Sequence, residues 1–218
     1  MIYAEPRIVP AGDSAILIEF ADEIDEATND RVHALAQFLR AQHRAEILDL
    51  VPAYSSLLVC YDPRRIDFAS MRDYLAAALS SAQAHIASTP RVIEISTRYG
   101  GEFGPDLAFV AQWSQLTEAQ VIELHAGAIY RVYFVGFMPG FAYLGSVPEK
   151  IAAPRLDSPR TRVPIGSVGI AGRQTGIYPM ETPGGWRLVG RAALKLFDAS
   201  ADPPTLVHPG DRVRFIPC

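Results

Sequence analysis

The hydrophobic positions in the first part of the chain follow two different periods. Apolar residues with a β-type composition predict strands at residues 14–20, 46–51 and 56–61. Apolar residues at three- and four-residue spacing predict two amphipathic helices, one after the acidic caps at 22–25 and one after Asp67. The order strand–helix–strand–strand–helix is that of a split βαβ unit, so this part is predicted to form a small α/β sandwich. A further strand at residues 92–97 either completes this sheet or begins the next domain.

The use of glycine and proline changes near residue 90. Of the 16 glycines, only Gly12 precedes residue 100. Beyond that point, a capping box of Thr117 and Gln120 predicts one helix, which Gly127 ends. Short apolar runs between Gly and Pro residues are typical of a closed β-barrel, and they predict strands at 130–134, 168–171, 186–189, 193–197 and 212–216. We therefore predict an α+β protein with an α/β domain at residues 1–89 and a β-barrel domain at residues 90–218.

Composition narrows the class of protein. The chain has 218 residues, 49% of them hydrophobic, with a formal net charge of −4 and a pI of about 5.7. The acidic balance argues against a nucleic-acid partner, and the longest uncharged run, at 132–148, is too short and too broken by Pro and Gly to span a membrane. No secretion signal is visible, and two isolated cysteines build neither a disulfide framework nor a metal site. We expect a soluble, cytoplasmic protein without a bound metal.

Positive charge is concentrated in one segment of this acidic chain. Residues 155–191 contain six arginines against only Asp157 and Glu181, which predicts a site for a small anionic substrate. Within 154–164, prolines alternate with arginines and lower the conformational cost of presenting each guanidinium. Anion binding and structural ion pairs are the two interpretations of these side chains, which are Arg155, Arg160 and Arg162.

Other segments carry groups that suit a ligand. Glycines let backbone N–H groups approach a ligand while aromatic rings exclude water, and the candidates are Gly136, Phe137, Pro139, Gly140, Phe141, Tyr143, Tyr178, Gly184, Gly185 and Trp186. Gln174 offers both an amide donor and an acceptor. His125 lies in the last turn of the predicted helix, where the helix dipole favours an imidazolium that could act as an acid or hold an anion. Packing roles are the alternative for the aromatic residues and for His125.

Two local motifs are rejected. Residues 185–191 have the glycine spacing of a phosphate loop, but they carry Arg where Lys-Ser/Thr is required and are predicted to form a strand. The only lysines, Lys150 and Lys195, lack the Met-Lys-Met setting of a biotin acceptor. No biotin is expected on this chain.

An ordered set of segments spans nearly the whole chain. It includes GDSA at 12–15, GFMPGF at 136–141, PRTRVP at 159–164, QTGIYP at 174–179 and PGGW at 183–186. In this order the segments resemble the carboxyltransferase C/D-type family, which includes the 5-oxoprolinase B subunit, allophanate hydrolase subunit 1 and the kinase inhibitor KipI. The chain departs from the usual family pattern at Met138, Ala142 and Arg173.

The resemblance implies a small α/β domain followed by a cyclophilin-like β-barrel. It also implies partner subunits A and C, with which such a subunit opens 5-oxoproline to L-glutamate using ATP. In this scheme Arg160 and Arg162 clamp a carboxylate or phosphate, Gln174 orients the amide, and His125 is the acid or base. Two alternatives are a KipI-like inhibitor of a sensor histidine kinase and a part of a urea or allophanate carboxyltransferase that receives carboxybiotin from another chain.

Overall fold

The computed structural model describes residues 1–82 and 90–218. The chain divides into two compact units, Met1–Ser88 and Thr89–Cys218. The boundary predicted between residues 89 and 90 adjoins residues 83–89, which lie outside the described residues. Within the described ranges, no helix is long and apolar enough to cross a membrane.

The N-terminal unit is a four-stranded sheet with two helices. In chain order its elements are β1 (Ile2–Pro10), β2 (Ala15–Ala21), α1 (Glu26–Ala41), β3 (Ile47–Pro52), β4 (Ser56–Tyr61) and α2 (Phe68–Ser81). The strands lie in the order β1-β2-β4-β3, and β4 is antiparallel to both β2 and β3. Consequently β2 and β3 are parallel with β4 between them, which is the predicted split βαβ arrangement.

Local sequence sets both helix starts of this unit. The Asp25 carboxylate accepts a hydrogen bond from the Thr28 backbone N–H at 2.7 Å, and the Asp67 carboxylate accepts one from the Ser70 N–H at 2.8 Å. Each bond satisfies a donor that the first helical turn leaves without a partner. The apolar faces predicted from the spacing are buried against the sheet, and they include Val32, Leu35, Leu39, Met71 and Leu75.

Strand β1 is an element that the hydrophobic pattern does not predict. Glu5, Pro6 and Arg7 interrupt its apolar alternation, and its register with β2 shifts between Ile2 and Arg7. An edge strand tolerates proline because one side of its backbone has no partner strand. The strand is therefore specified by its pairing with β2, more than by its own sequence.

The second unit is built around a closed barrel. Its elements are β5 (Val92–Tyr99), α3 (Leu107–Ser114), α4 (Glu118–Gly127), β6 (Ile129–Val135), β7 (Ala142–Gly145), a 3₁₀ turn (Glu149–Ile151), β8 (Arg160–Val163), β9 (Ser167–Ala171), β10 (Gln174–Ile177), β11 (Thr182–Gly184), β12 (Arg187–Ala192) and β13 (Arg212–Pro217). Seven strands close in the order β10-β7-β6-β13-β5-β12-β9, and β8 and β11 form a separate ribbon. The predicted α+β class with a closed β-barrel is confirmed.

Four local features of this unit can be compared with the sequence analysis. Strand β5 belongs to the barrel, because it pairs with β13 in parallel and with β12. Residues 193–197 do not form the predicted strand and contribute only a single bridge, between Phe197 and Thr205. Helix α3 is not among the predicted elements, and its N-cap residue Asp106 makes no side-chain capping bond to it. The capping box of α4 is confirmed, with Ala128 instead of Gly127 as its C-cap.

Candidate functional site

A cluster of aromatic side chains lies outside the main barrel core. Phe141 contacts Tyr178 and Trp186 edge to face, with ring centroids 5.2 Å and 5.5 Å apart, and Tyr143 meets Trp186 at 6.0 Å. These residues form a separate apolar cluster with Val163, Ala171 and Leu188. Edge-to-face contacts of this kind stabilise ring arrangements beyond simple burial. The cluster is therefore a rigid aromatic wall.

Strand alternation explains why the wall lies on the outside of the barrel. Along β10, Thr175 bonds to His125 in the interior, so the neighbouring Gly176 points to the opposite face. A Cβ placed on Gly176 would lie 3.0 Å from the Phe141 ring and 3.1 Å from the Trp186 ring. Glycine at this position lets both rings lie directly on the strand backbone.

The aromatic wall borders a cavity of about 480 Å³. Three segments converge on it, and its lining residues are Phe137, Phe141, Tyr143, Arg155, Leu156, Pro159, Tyr178, Thr182, Pro183, Gly184, Gly185 and Trp186. Most of the predicted substrate-binding residues are thus brought together, although they come from distant parts of the sequence. Mostly apolar cavities of this size with a few polar groups are typical of small-molecule sites.

The cavity carries one full charge. Arg155 lines it, and no carboxylate of the described residues forms an ion pair with this guanidinium. Among those residues, the lining contains no Asp, Glu or His. An apolar cavity with one available guanidinium suits a compact ligand that carries a carboxylate or a similar anion.

Tyr178 supplies a polar group to the cavity. Burial raises the pKa of its phenol, while the Trp186 backbone N–H and the charge of Arg155 act in the opposite direction. The hydroxyl stays protonated at neutral pH and can donate a hydrogen bond to a ligand. Its position depends on Gly184, because a Cβ there would lie 2.6 Å from the Tyr178 hydroxyl oxygen.

The two arginines of the predicted clamp, Arg160 and Arg162, each pair with a carboxylate of this chain. Arg160 Nη2 donates to Asp106 Oδ1 at 2.8 Å. Arg162, whose side chain is 75% exposed, has its Nε 2.6 Å from Glu181 Oε2. Neither residue lines the cavity. Each guanidinium already has a carboxylate of this chain as its partner, so the ion-pair interpretation describes both.

Asp106 is a supporting residue that sequence reasoning missed. Its Oδ2 accepts a hydrogen bond from the Leu188 backbone N–H at 2.6 Å, and its own N–H donates to the Leu188 carbonyl at 2.9 Å. These bonds attach the start of α3 to β12 while Oδ1 holds Arg160. The only sequence signal was an Asp at a potential helix start.

His125 lies in the barrel interior, away from the cavity. Its side chain is fully buried, its Nδ1 lies 2.8 Å from the Tyr99 hydroxyl and its Nε2 lies 3.0 Å from Thr175 Oγ1. Burial lowers the pKa of the imidazole from 6.5 to about 3. The expected imidazolium is wrong, because desolvation outweighs the helix dipole. The geometry gives His125 a packing role.

The remaining candidates lie outside the cavity lining. Gln174 shares a face of β10 with Gly176 but does not line the cavity. Gly136, Pro139 and Gly140 shape the loop between β6 and β7, in which the Gly136 N–H donates to the Phe141 carbonyl at 3.0 Å. This loop presents Phe137 at the rim, 64% exposed and with a φ of 66° that is unusual for a bulky residue.

The structure also bears on two other kinds of site, a phosphate loop and a metal centre. Residues 187–192 form strand β12 of the barrel, so the segment with phosphate-loop spacing is not a loop. In the part of the chain that the structure describes, no three His, Cys, Asp or Glu side chains group in a way that could hold a metal ion.

Fold and site together define a barrel protein with an aromatic, arginine-containing cavity on its outer wall. A family model described as carboxyltransferase domain, subdomain C and D, matches residues 6–207. The chain belongs to this carboxyltransferase C/D family, as its motifs indicated.

Individual relatives agree with this membership. The 5-oxoprolinase B subunit from Bacillus subtilis (strain 168) is 44% identical over 220 residues, covering 96% of this chain and 92% of that protein. A crystal structure of a conserved uncharacterized protein from Pyrococcus horikoshii is 52% identical, covers 97% of each chain and has a TM-score of 0.58. The K. lactis urea amidolyase has a TM-score of 0.83 at 20% identity, over 100% of this chain and 15% of that one. This last likeness concerns the fold alone.

The buried imidazole predicts a pH dependence of stability. In the unfolded chain His125 binds a proton near its ordinary pKa of 6.5, whereas the folded chain does not until about pH 3. The free energy of unfolding should therefore fall as the pH drops below 6.5, by at most about 1.4 kcal/mol per pH unit from this group. Urea denaturation between pH 7 and pH 4 should show a shallower slope for His125→Asn. The control Val121→Ala should lower stability at every pH and keep the wild-type slope.

Two adjacent glycines, Gly184 and Gly185, allow a test of how the Tyr178 ring is held in place. Gly184→Ala should lower the free energy of unfolding by about 1–3 kcal/mol, since the new methyl group overlaps the Tyr178 ring. Gly185→Ala is the matched control, because its Cβ would meet nothing closer than 3.6 Å. Urea denaturation and near-ultraviolet circular dichroism report stability and ring packing. Equal effects of the two substitutions would contradict this account of Gly184.

Proposed function

We propose that this chain is the B subunit of an ATP-dependent 5-oxoprolinase that opens 5-oxoproline to L-glutamate together with subunits A and C. The relatives support this function, since the B. subtilis protein that bears this name aligns with nearly the full length of both chains. The name of that relative denotes one subunit among several. The complex would work in the cytoplasm, where the unpaired thiols of Cys60 and Cys218 stay reduced.

The observation that carries the proposal is the aromatic cavity with Arg155 as its available cation. 5-Oxoproline is a flat five-membered lactam with a carboxylate, so its two halves match the aromatic wall and the guanidinium. In this arrangement Arg155 binds the carboxylate, and the Tyr178 hydroxyl donates a hydrogen bond to an oxygen of the ligand. His125 and Arg162 have no part in this version of the site.

The same cavity lacks the groups that hydrolysis needs. An unreactive lactam requires a general base to activate water, and no carboxylate or imidazole of the described residues lines the cavity. This absence supports a subunit that binds substrate and depends on partner subunits for the remaining chemistry. In the complex, ATP would supply a phosphoryl group for the lactam oxygen with release of ADP, and attack of water on the activated carbon would then release phosphate. The segment of this chain with phosphate-loop spacing is strand β12, so it offers no loop for the phosphates.

Reconstitution tests the proposed function directly. The purified chain should release no glutamate from 5-oxoproline, and the chain mixed with subunits A and C and ATP should do so. Enzymatic measurement of L-glutamate, with a control that omits ATP, gives the result. A complete trio that leaves 5-oxoproline intact while releasing product from urea or allophanate would replace this substrate class with the alternative one.

Substitution of the cavity cation tests how the substrate is held. Arg155→Ala in the reconstituted complex should raise the KM for 5-oxoproline by roughly ten- to a hundredfold, because a charge-assisted hydrogen bond is lost. The control Arg214→Ala removes the same charge from a surface pair with Glu94 and should leave KM unchanged. Steady-state kinetics measure both. Equal KM values for the two variants would remove Arg155 from the binding site.

A further inference from the structure

The backbone that carries Arg155 is held by side chains from two other elements. Trp113 Nε1 on α3 donates a hydrogen bond to the Ala152 carbonyl at 3.1 Å, and Arg187 Nε on β12 donates one to the Pro154 carbonyl at 3.2 Å. The segment at 152–156 is thus tied at two carbonyls that lie on the N-terminal side of Arg155. On the other side, the Leu156 N–H donates to the Gly185 carbonyl at 2.8 Å, which ties the segment to the cavity wall.

The two donors are themselves held by a common stack. Phe109 and Trp113 are four residues apart on α3, and their rings stack with centroids 6.2 Å apart and an angle of 14° between their planes. The Arg187 guanidinium carbon lies 3.5 Å from the centroid of the Phe109 ring. Guanidinium groups stack favourably on aromatic faces. Trp113, Phe109 and Arg187 therefore form one continuous stack, which we call the α3 stack.

Hydrogen bonds between the start of α3 and β12 hold the α3 stack in place. The Asp106 carboxylate and N–H both bond to the backbone of Leu188, so α3 and β12 are joined one residue away from Arg187. Trp113 is 57% exposed, and its indole N–H nevertheless bonds to the Ala152 carbonyl of the same chain.

From these contacts we infer that the α3 stack positions Arg155 and so sets the preference of the cavity for a carboxylate ligand. The inference rests on the proposed function only in taking 5-oxoproline as the ligand. A guanidinium on a long flexible side chain loses conformational freedom when it binds, and a fixed backbone reduces that loss. Phe109, Trp113 and Arg187 act through Arg155, so they are positioning residues.

The test compares two ligands that differ in one group. 2-Pyrrolidinone has the same lactam ring as 5-oxoproline without the carboxylate. The ratio of their dissociation constants, measured by calorimetry on the full chain, reports how well Arg155 engages the carboxylate. A general loss of structure weakens both ligands together and leaves the ratio unchanged.

Substitutions in the α3 stack should lower this preference for 5-oxoproline. Arg155→Ala should reduce the ratio by about tenfold or more, the value of a charge-assisted bond, and Arg187→Ala and Phe109→Ala should each reproduce a large part of that loss. Phe109→Tyr retains the aromatic face and should retain the ratio. The control Arg214→Ala removes the same charge as Arg187→Ala at a residue that pairs with Glu94 and lies outside the cavity lining, and it should have no effect.

A milder variant covers the case in which the alanine substitutions fail to fold. Trp113→Phe keeps a ring in the stack and removes only the N–H bond to Ala152, and Trp186 in the cavity then remains as the only tryptophan of the chain. The fluorescence of Trp186 should report the binding of both ligands. The ratio of their dissociation constants should show a preference for 5-oxoproline several-fold below that of the wild type. An unchanged ratio in Trp113→Phe and Arg187→Ala, or a wild-type chain without any preference for the carboxylate, would overturn the inference. Glutamate release by the reconstituted complex decides the proposed function separately.

Discussion

A filled barrel interior is the constraint on which the rest of the second unit depends. Tyr130, Phe215 and His125 are completely buried in that interior, and the imidazole makes its hydrogen bonds there to Tyr99 and Thr175. These described side chains fill the space inside, so a binding site has to use the outer face of the strands. Glycine in β10 makes that face flat enough for aromatic rings to lie on it, and the cavity follows from their arrangement.

Ion pairing divides the arginines of this unit into different roles. Arg160 is held by Asp106, Arg162 by Glu181, and Arg187 stacks on Phe109, whereas Arg155 faces the cavity. The same side chain thus serves as a support, a surface pair, a stacking element and a ligand group. The positions of the carboxylates determine these roles, because a guanidinium that already pairs with a carboxylate has fewer N–H donors and less net charge for an incoming anion. Helix α3 connects the supports, since Asp106 begins it and Phe109 lies on it.

The cavity is suited to binding but poorly equipped for chemistry. Its lining, as far as the described residues show, offers aromatic rings, backbone groups, phenols and one guanidinium, without a carboxylate or an imidazole. Family membership and this composition agree, because relatives are named as one subunit of a larger enzyme. In the proposed function, this chain recognises the substrate and the partner subunits supply the reactive groups.

Elements with local signals can be predicted from the residues alone. Capping residues such as Asp25, Asp67 and Thr117 mark helix starts, because a capping bond forms within one turn and needs no distant partner. The glycine-rich second half indicates a barrel, because the backbone freedom of glycine is also a local property. The segments that surround the cavity were also recognisable from their residue types. By contrast, the inward position of His125 and the pairing of Arg160 with Asp106, 54 positions away in the sequence, are visible only in the folded chain. Burial and long-range ion pairing arise when strands close on one another, so no local pattern records them.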